Sequence, residues 1–140
     1  MLRKKLSLGL LLLAFAACTK EKIVEVEKEK IVEVDKPAAA NISITSPKPG
    51  DVFAHGDTVH IKALLTGVNT LHGYEISIRN TDDEDAVVYL KSVHDHNKVI
   101  NVDTYWINTE SDSGSRSVNI VTAIDHDGNS LGKKVAFKVK

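Results

Sequence analysis

The sequence predicts an all-β fold for residues 41–140, and two features of this region carry the prediction. Apolar and polar residues alternate with a period of two, for example from Val59 to Leu65 and from Tyr74 to Arg79. Turn-forming residues such as Gly67-Val68-Asn69 interrupt the alternation at intervals of about eight to twelve residues. This pattern gives each strand one buried and one solvated face, which is typical of an antiparallel β-sandwich.

The turn chemistry divides the region into seven strands. Two prolines and a glycine within Ser46–Asp51 end the first strand, and Val52-Phe53 is interpreted as a continuation of the same sheet edge. Asp125 to Asn129 has the composition of a hairpin turn before the last strand. The predicted strands cover residues 41–45, 59–65, 74–79, 86–93, 98–106, 118–124 and 135–139. With no helical pattern between them, they predict a seven-stranded antiparallel immunoglobulin-like sandwich. The predicted core residues are Val59, Ile61, Tyr74, Ile76, Val118, Ile120, Val135 and Phe137.

Three short stretches resemble the immunoglobulin-like domains of bacteria. They are Ile44-Thr-Ser-Pro-Lys-Pro-Gly50, Gly56-Asp-Thr-Val-His-Ile61 and Ala123-Ile-Asp-His-Asp-Gly-Asn129. Such domains are common on lipoproteins of Gram-negative bacteria, particularly Bacteroidetes. The resemblance covers residues 41–140, and because its motifs are turns, it concerns fold more than function. It implies a non-enzymatic binding, adhesion or spacer module.

The start of the chain has the three parts of a secretion signal. Residues 3–5 are basic, residues 6–15 are apolar, and Ala16-Ala17 are the small residues that precede a signal-peptidase cut. The apolar run is too short to span a bilayer, which takes about 20 residues. An ordinary secretory signal without lipidation and a short buried helix are the alternatives for this stretch.

The end of the signal, Phe15-Ala16-Ala17-Cys18, resembles the lipobox of bacterial lipoproteins, with phenylalanine where leucine is usual. The resemblance implies that residues 1–17 form a lipoprotein signal peptide and that Cys18, the chain's one cysteine, carries the lipid. Membrane attachment through this anchor is then expected. Thr19 stands where an inner-membrane retention signal has aspartate, which favours the outer membrane, with the domain facing either the periplasm or the medium.

Residues 18–40 are predicted to be a tether. The eight residues from Glu21 recur from Glu29 with one change. An eight-residue period does not place Ile23 and Ile31 on one stripe of a straight helix, and β-branched residues disfavour a helix further. An extended, charged spacer is therefore favoured over a short coiled coil, with a reach of about 70 Å when fully extended.

Composition argues against several function classes. Residues 41–140 contain ten Lys and Arg against thirteen Asp and Glu, so a mildly acidic domain without a basic stripe predicts no nucleic-acid partner. The motifs of nucleophilic, phosphate-binding and zinc-protease sites are absent from the sequence, so we expect no enzyme and no required cofactor. Calcium at Asp125-x-Asp127-x-Asn129 and sugar stacking at Tyr105-Trp106 are weaker alternatives to a turn and a core residue.

The positions of the histidines are the strongest indication of a functional site in the sequence. In an antiparallel Greek-key sandwich the loops after the second, fourth and sixth strands gather at one pole. These loops contain or adjoin His72, then His94 and His96, then His126. Imidazoles from separate loops are ligands that zinc and copper accept, and we predict a metal site of these four residues. The simpler alternative is a set of polar turn residues.

The sequence therefore supports two function hypotheses. In the leading one, a membrane-anchored lipoprotein presents one immunoglobulin-like module for binding, adhesion or a structural role. Its partner would be an envelope or extracellular protein, or a glycan. In the alternative, the lipoprotein binds zinc or copper through the histidine cluster.

Overall fold

The computed structural model describes residues 39–140. The predicted signal peptide, Cys18 and the tether up to residue 38 lie outside the described residues. In the described part, no helix is long and apolar enough to cross a membrane.

Residues 39–140 fold into eight β-strands in two sheets, as the alternating pattern predicts. The strands are β1 (Ala40–Ser46), β2 (Val52–Phe53), β3 (Thr58–Gly67), β4 (Tyr74–Asn80), β5 (Ala86–Val93), β6 (Val99–Ile107), β7 (Gly114–Ala123) and β8 (Ser130–Val139). One sheet has the order β1-β3-β6 and the other the order β2-β8-β7-β4-β5. The all-β, immunoglobulin-like sandwich is confirmed.

The strand count differs from the predicted seven because Val52-Phe53 forms a strand of its own. It leaves the sheet of β1 and pairs in parallel with β8, Val52 opposite Lys138 and Phe53 opposite Val139. The strands β7 and β8 also begin several residues before the predicted starts. Their ladder continues from Ala123 opposite Ser130 to Gly114 opposite Val139, since backbone pairing does not require alternation of side chains.

The core lies between the two sheets and contains most of the predicted residues. Six of the eight predicted core residues are buried, and Tyr74 and Val135 are half-buried against them. Phe137 packs edge-on against Phe53, with ring centroids 5.6 Å apart. Trp106 is also buried, whereas Tyr105 is exposed, as expected for neighbours on one strand.

Strand direction fixes which loops share an end of the sandwich. Ala40, at the start of β1, pairs with Gly67 at the end of β3, so the chain enters the domain beside the β3–β4 loop. The β5–β6 loop lies at the same end, since the backbone N–H of Gly67 donates to the carbonyl of Lys98 (2.8 Å). We call the end that holds the loops of residues 68–73, 94–98 and 124–129 the histidine pole.

Candidate metal centre

Backbone hydrogen bonds hold the three loops of the histidine pole together. The N–H of Leu71 donates to the carbonyl of Asn97 (3.0 Å), which joins the β3–β4 loop to the β5–β6 loop. The N–H of His72 donates to the carbonyl of Ala123 (2.9 Å), which joins the same loop to the end of β7. The side chain of Leu71 is buried, and it closes the core beneath the loops. The β3–β4 loop is therefore fixed on both sides.

Gly73 allows two of these loops to approach closely. Its φ of +99° lies in the region that only glycine adopts freely, and a Cβ there would stand 2.5 Å from the carbonyl oxygen of Val93. The carbonyl of Gly73 accepts a hydrogen bond from the buried hydroxyl of Thr122 (2.8 Å). The absence of a side chain at this position lets His72 reach the loop that carries His94 and His96.

The structure brings the four predicted histidines into one cluster. Nδ1 of His72 lies 3.2 Å from Nδ1 of His96. The other ring nitrogen of His96, Nε2, lies 2.6 Å from Nε2 of His94. The ring of His126 packs on His72 with centroids 3.9 Å apart and planes inclined by 46°. The ring of His96 thus stands between His72 and His94 and presents a different nitrogen to each.

The turn that carries His126 is held by Asp125. One oxygen of the Asp125 carboxylate accepts hydrogen bonds from the backbone N–H groups of Asp127 (2.9 Å) and Asn129 (3.1 Å), and the other accepts one from the Asn129 amide (2.7 Å). The hydrogen bond from the Asn129 side chain is the largest cause that lowers the pKa of Asp125 below its usual value, and the hydrogen bonds from the backbone N–H groups lower it further. This carboxylate therefore shapes the turn, as the sequence pattern of a hairpin turn indicates.

The environment of His72 favours the neutral form of its ring over the protonated form. Partial burial lowers the pKa of His72 from its ordinary value of 6.5, and the neighbouring His126 and His96 lower it further. The negative charge of Asp125 opposes these effects without reversing them. A neutral imidazole has a free lone pair, which is the state that a metal ion requires.

The spacing of one nitrogen pair fits a tetrahedral metal ion. Two nitrogens bound at about 2.0 to 2.1 Å with a tetrahedral angle stand about 3.3 to 3.4 Å apart, close to the 3.2 Å between Nδ1 of His72 and Nδ1 of His96. The 2.6 Å separation of His94 and His96 is too short for two ligands of one ion and fits a short hydrogen bond. Within residues 39–140, no group of three or more His, Cys, Asp or Glu side chains is already arranged to hold a metal ion. The described chain therefore offers a pair of ligands.

The remaining two histidines lie outside the cluster. Nδ1 of His55 contacts the carbonyl oxygen of Glu110 at 3.0 Å, and His60 is exposed on β3 opposite Tyr105. Sequence reasoning found the four clustered histidines but missed the parts of Gly73 and Leu71 in placing them. The available signal was an apolar residue before His72 and a glycine after it, directly following the polar pair Asn69-Thr70.

Comparisons with known proteins do not assign this chain to a family. No family model matches the sequence, and no curated protein matches it. Among solved structures, the chain is similar to the fibronectin(III)-like modules of CbhA from Clostridium thermocellum, with 17% identity and a TM-score of 0.47. The match covers 71% of this chain and 46% of that one, so this chain spans less than half of that structure.

Two further solved structures are similar over a comparable part of the chain. CopC from Methylosinus trichosporium OB3b shows 19% identity and a TM-score of 0.41, and the match covers 71% of this chain and 94% of that one. A CARDB domain from Pyrococcus furiosus, in complex with di-metal ions, shows 10% identity and a TM-score of 0.41, over 70% and 86% of the two chains. No functional conclusion follows from likenesses at this level.

Proposed function

We propose that this protein is a lipid-anchored, non-enzymatic lipoprotein whose immunoglobulin-like domain binds zinc or copper at the histidine pole. The observation that carries the metal proposal is the pair of Nδ1 atoms of His72 and His96, 3.2 Å apart and supplied by different loops. Two loops that are fixed by backbone hydrogen bonds can hold such a pair with little loss of freedom on binding.

The remaining histidines of the cluster have distinct supporting roles in this proposal. When Nε2–H of His96 donates to Nε2 of His94, the Nδ1 atom of His96 keeps its lone pair for the metal. A hydrogen bond from the far nitrogen of a ligating histidine is the usual way in which its ring is oriented. His94 therefore positions the ligand His96, and His126 packs on the ligand His72.

The proposed lipid anchor would determine where in the cell this site lies. Cys18, in its lipobox-like context, would carry the lipid, and the charged tether would connect it to the domain. Outer-membrane attachment, with the domain facing the periplasm or the medium, is the localisation we propose. No nucleic-acid partner is proposed, because the domain carries an excess of acidic residues.

Metal binding is tested by thermal melts of the wild-type chain with zinc, with copper and with a chelator. At a free metal concentration 100 times the dissociation constant, binding stabilises the fold by about 2.7 kcal/mol. For a domain of this size that is a rise in Tm of about 10 °C or more. His96→Ala should abolish the rise, and His94→Ala should weaken metal affinity about 10- to 100-fold because it removes an orienting hydrogen bond. His60→Ala, which changes an exposed histidine outside the cluster, is the matched control.

The pH dependence of this response has a definite sign. Protons and the metal ion compete for the same nitrogens, so metal-dependent stabilisation should be full near pH 7.5 and should fall as the pH drops below about 6.5. In the absence of metal, the pKa of His72 is lower in the folded chain than in the unfolded chain. As the pH falls through that range, His72 is protonated more readily in the unfolded chain, so the stability of the fold decreases. A wild-type melt that zinc and copper leave unchanged, or an equal response in His96→Ala, would rule out the site.

A second candidate function is presentation of a binding surface to a protein or glycan. It is favoured by the outer face of β6, an edge strand on which Val99, Tyr105 and Ile107 are each about half exposed. Their positions have the same parity along the strand, so their side chains lie on one face. This surface and the histidine cluster occupy different parts of the domain and do not exclude each other.

A further inference from the structure

We infer that the metal ion at the histidine pole bridges two copies of this chain, with His72 and His96 of each copy as its four ligands. This inference rests on the proposed metal binding and adds to it the partner and the stoichiometry. It follows from the number of ligands that one copy can supply and from the exposure of the pole.

One copy of the chain supplies two ligands to a single ion. Nδ1 of His96 faces His72, whereas Nε2 of the same ring faces His94. The two nitrogens of an imidazole point away from each other, so an ion bound at Nδ1 lies on the side of the ring remote from His94. A structural zinc site has four ligands, and two positions therefore remain open.

Two of the three carboxylates that adjoin the clustered histidines in sequence, those of Asp125 and Asp95, accept hydrogen bonds elsewhere. Both oxygens of Asp125 accept hydrogen bonds within its own turn. Asp95 accepts one from the side-chain amide of Asn97. Recruiting Asp125 as a ligand would break the hydrogen bonds of its turn, and no third His, Cys, Asp or Glu, Asp95 and Asp127 included, completes the pair within residues 39–140. The open positions are more readily filled from outside the chain.

A second copy can fill them without a change of fold. Of the two ligands, His96 is exposed and His72 is partly exposed at the end of the sandwich, so the pole can approach another surface end-on. A two-fold axis through the ion would place the same two nitrogens from each copy around it, and two pairs give the four ligands of a tetrahedral site. Assembly through this contact stops at two copies, because neither copy has a second pair of ligands at the pole.

Charge makes the contact dependent on the metal. Asp95, Asp125 and Asp127 lie in the loops of the pole, and Lys98 is the one cation in the same loops. Two such poles repel each other when they meet without an ion, and a divalent cation between them offsets the repulsion. We therefore expect a dimer with metal and a monomer with chelator.

The test is native mass spectrometry of the full chain, solubilised in detergent, with zinc and with chelator. One spectrum gives the number of chains and the number of metal ions in each species. The expected result is two chains with one zinc ion, converting to single chains with chelator. His96→Ala should remain a single chain without zinc, and His60→Ala, which changes an exposed histidine outside the cluster, should keep the two-to-one species.

The other outcomes separate this inference from the function on which it rests. One chain with one zinc ion would overturn the bridged dimer and leave metal binding intact. Two chains that persist with chelator would overturn the bridged dimer as well, because the contact would not depend on metal. Chains that bind no zinc would overturn the zinc-bridged dimer, and metal binding itself would be overturned if the thermal melts also showed no response to copper.

Discussion

Replacement of Gly73 by alanine should destabilise the domain and disturb the histidine cluster together. A non-glycine residue in the left-handed region costs about 1 to 2 kcal/mol. The new Cβ would also stand 2.5 Å from the carbonyl oxygen of Val93, a backbone atom that cannot move aside as a flexible side chain could. Overpacking of this kind costs about 1 to 3 kcal/mol, so the expected total loss is about 2 to 5 kcal/mol.

Gly56→Ala separates the two contributions. Gly56 has a φ of +85°, close to that of Gly73, but a Cβ there meets nothing within 4 Å. This control therefore carries the conformational cost alone, and any gain from restricting the unfolded chain is common to both variants. The difference between the two losses, about 1 to 3 kcal/mol, is the steric cost at Gly73.

The loss of unfolding free energy in each variant can be measured by urea unfolding, with the fluorescence of Trp106 as the signal. Trp106 is the chain's one tryptophan and is buried, so its emission reports directly on the core. Gly73→Ala should also reduce the zinc-dependent rise in Tm, whereas Gly56→Ala should leave that rise unchanged. Equal losses of stability in the two variants would refute the close approach of the β3–β4 loop to Val93, and with it our account of how the cluster forms.

Two further predictions concern the core and the anchor. Phe137→Ala removes a fully buried ring that contacts Phe53 and should cost about 3 to 5 kcal/mol, a large part of a domain's usual margin of about 5 to 15 kcal/mol. Val87→Ala, at a half-exposed position, is its control and should cost little in the same urea titration, and a near-normal midpoint for Phe137→Ala would contradict the assigned core. Cys18→Ser should release the protein from the membrane fraction or leave it as an uncleaved precursor. Partition of the wild-type protein into the aqueous phase of a detergent extraction would count against the anchor.

The location of the histidine cluster could be predicted because it depends on strand order alone. Loops that follow alternate strands of an antiparallel sandwich must return to the same end, whatever their side chains. His72, His94, His96 and His126 lie in three such loops, and errors of a few residues in strand bounds do not move a loop to the other pole.

The division of roles within the cluster could not be predicted in the same way. The sequence predicts all four histidines as ligands of one metal site, but the nearest nitrogens of His94 and His96 stand at hydrogen-bond distance, 2.6 Å. Which nitrogen faces which neighbour depends on side-chain torsions and on the path of the β3–β4 loop past Gly73. A pattern of residue types carries no information about either.

Arg116 shows a second limit of sequence reasoning. It lies just before the predicted sixth strand, yet it belongs to β7 and its side chain is fully buried. The burial is tolerated because Asn80 accepts a hydrogen bond from the guanidinium at 2.9 Å and Asp112 accepts another at 3.3 Å. Asn80 ends β4 and Asp112 lies in the loop between β6 and β7, so the compensation becomes visible when the fold is known.

The entry of the chain beside Gly67 has a consequence for molecules that share one membrane. When two domains meet pole to pole in the proposed dimer, the two Ala40 residues lie near the middle of the pair. Had the chain entered at the opposite end, the exits would stand about two domain lengths apart, or about 60 to 70 Å for strands of ten residues. If Cys18 carries a lipid as proposed, this arrangement would let both lipids occupy the same patch of bilayer. Confinement to that surface raises the effective concentration of one pole near the other, so a weak metal bridge can persist there that would dissociate in dilute solution.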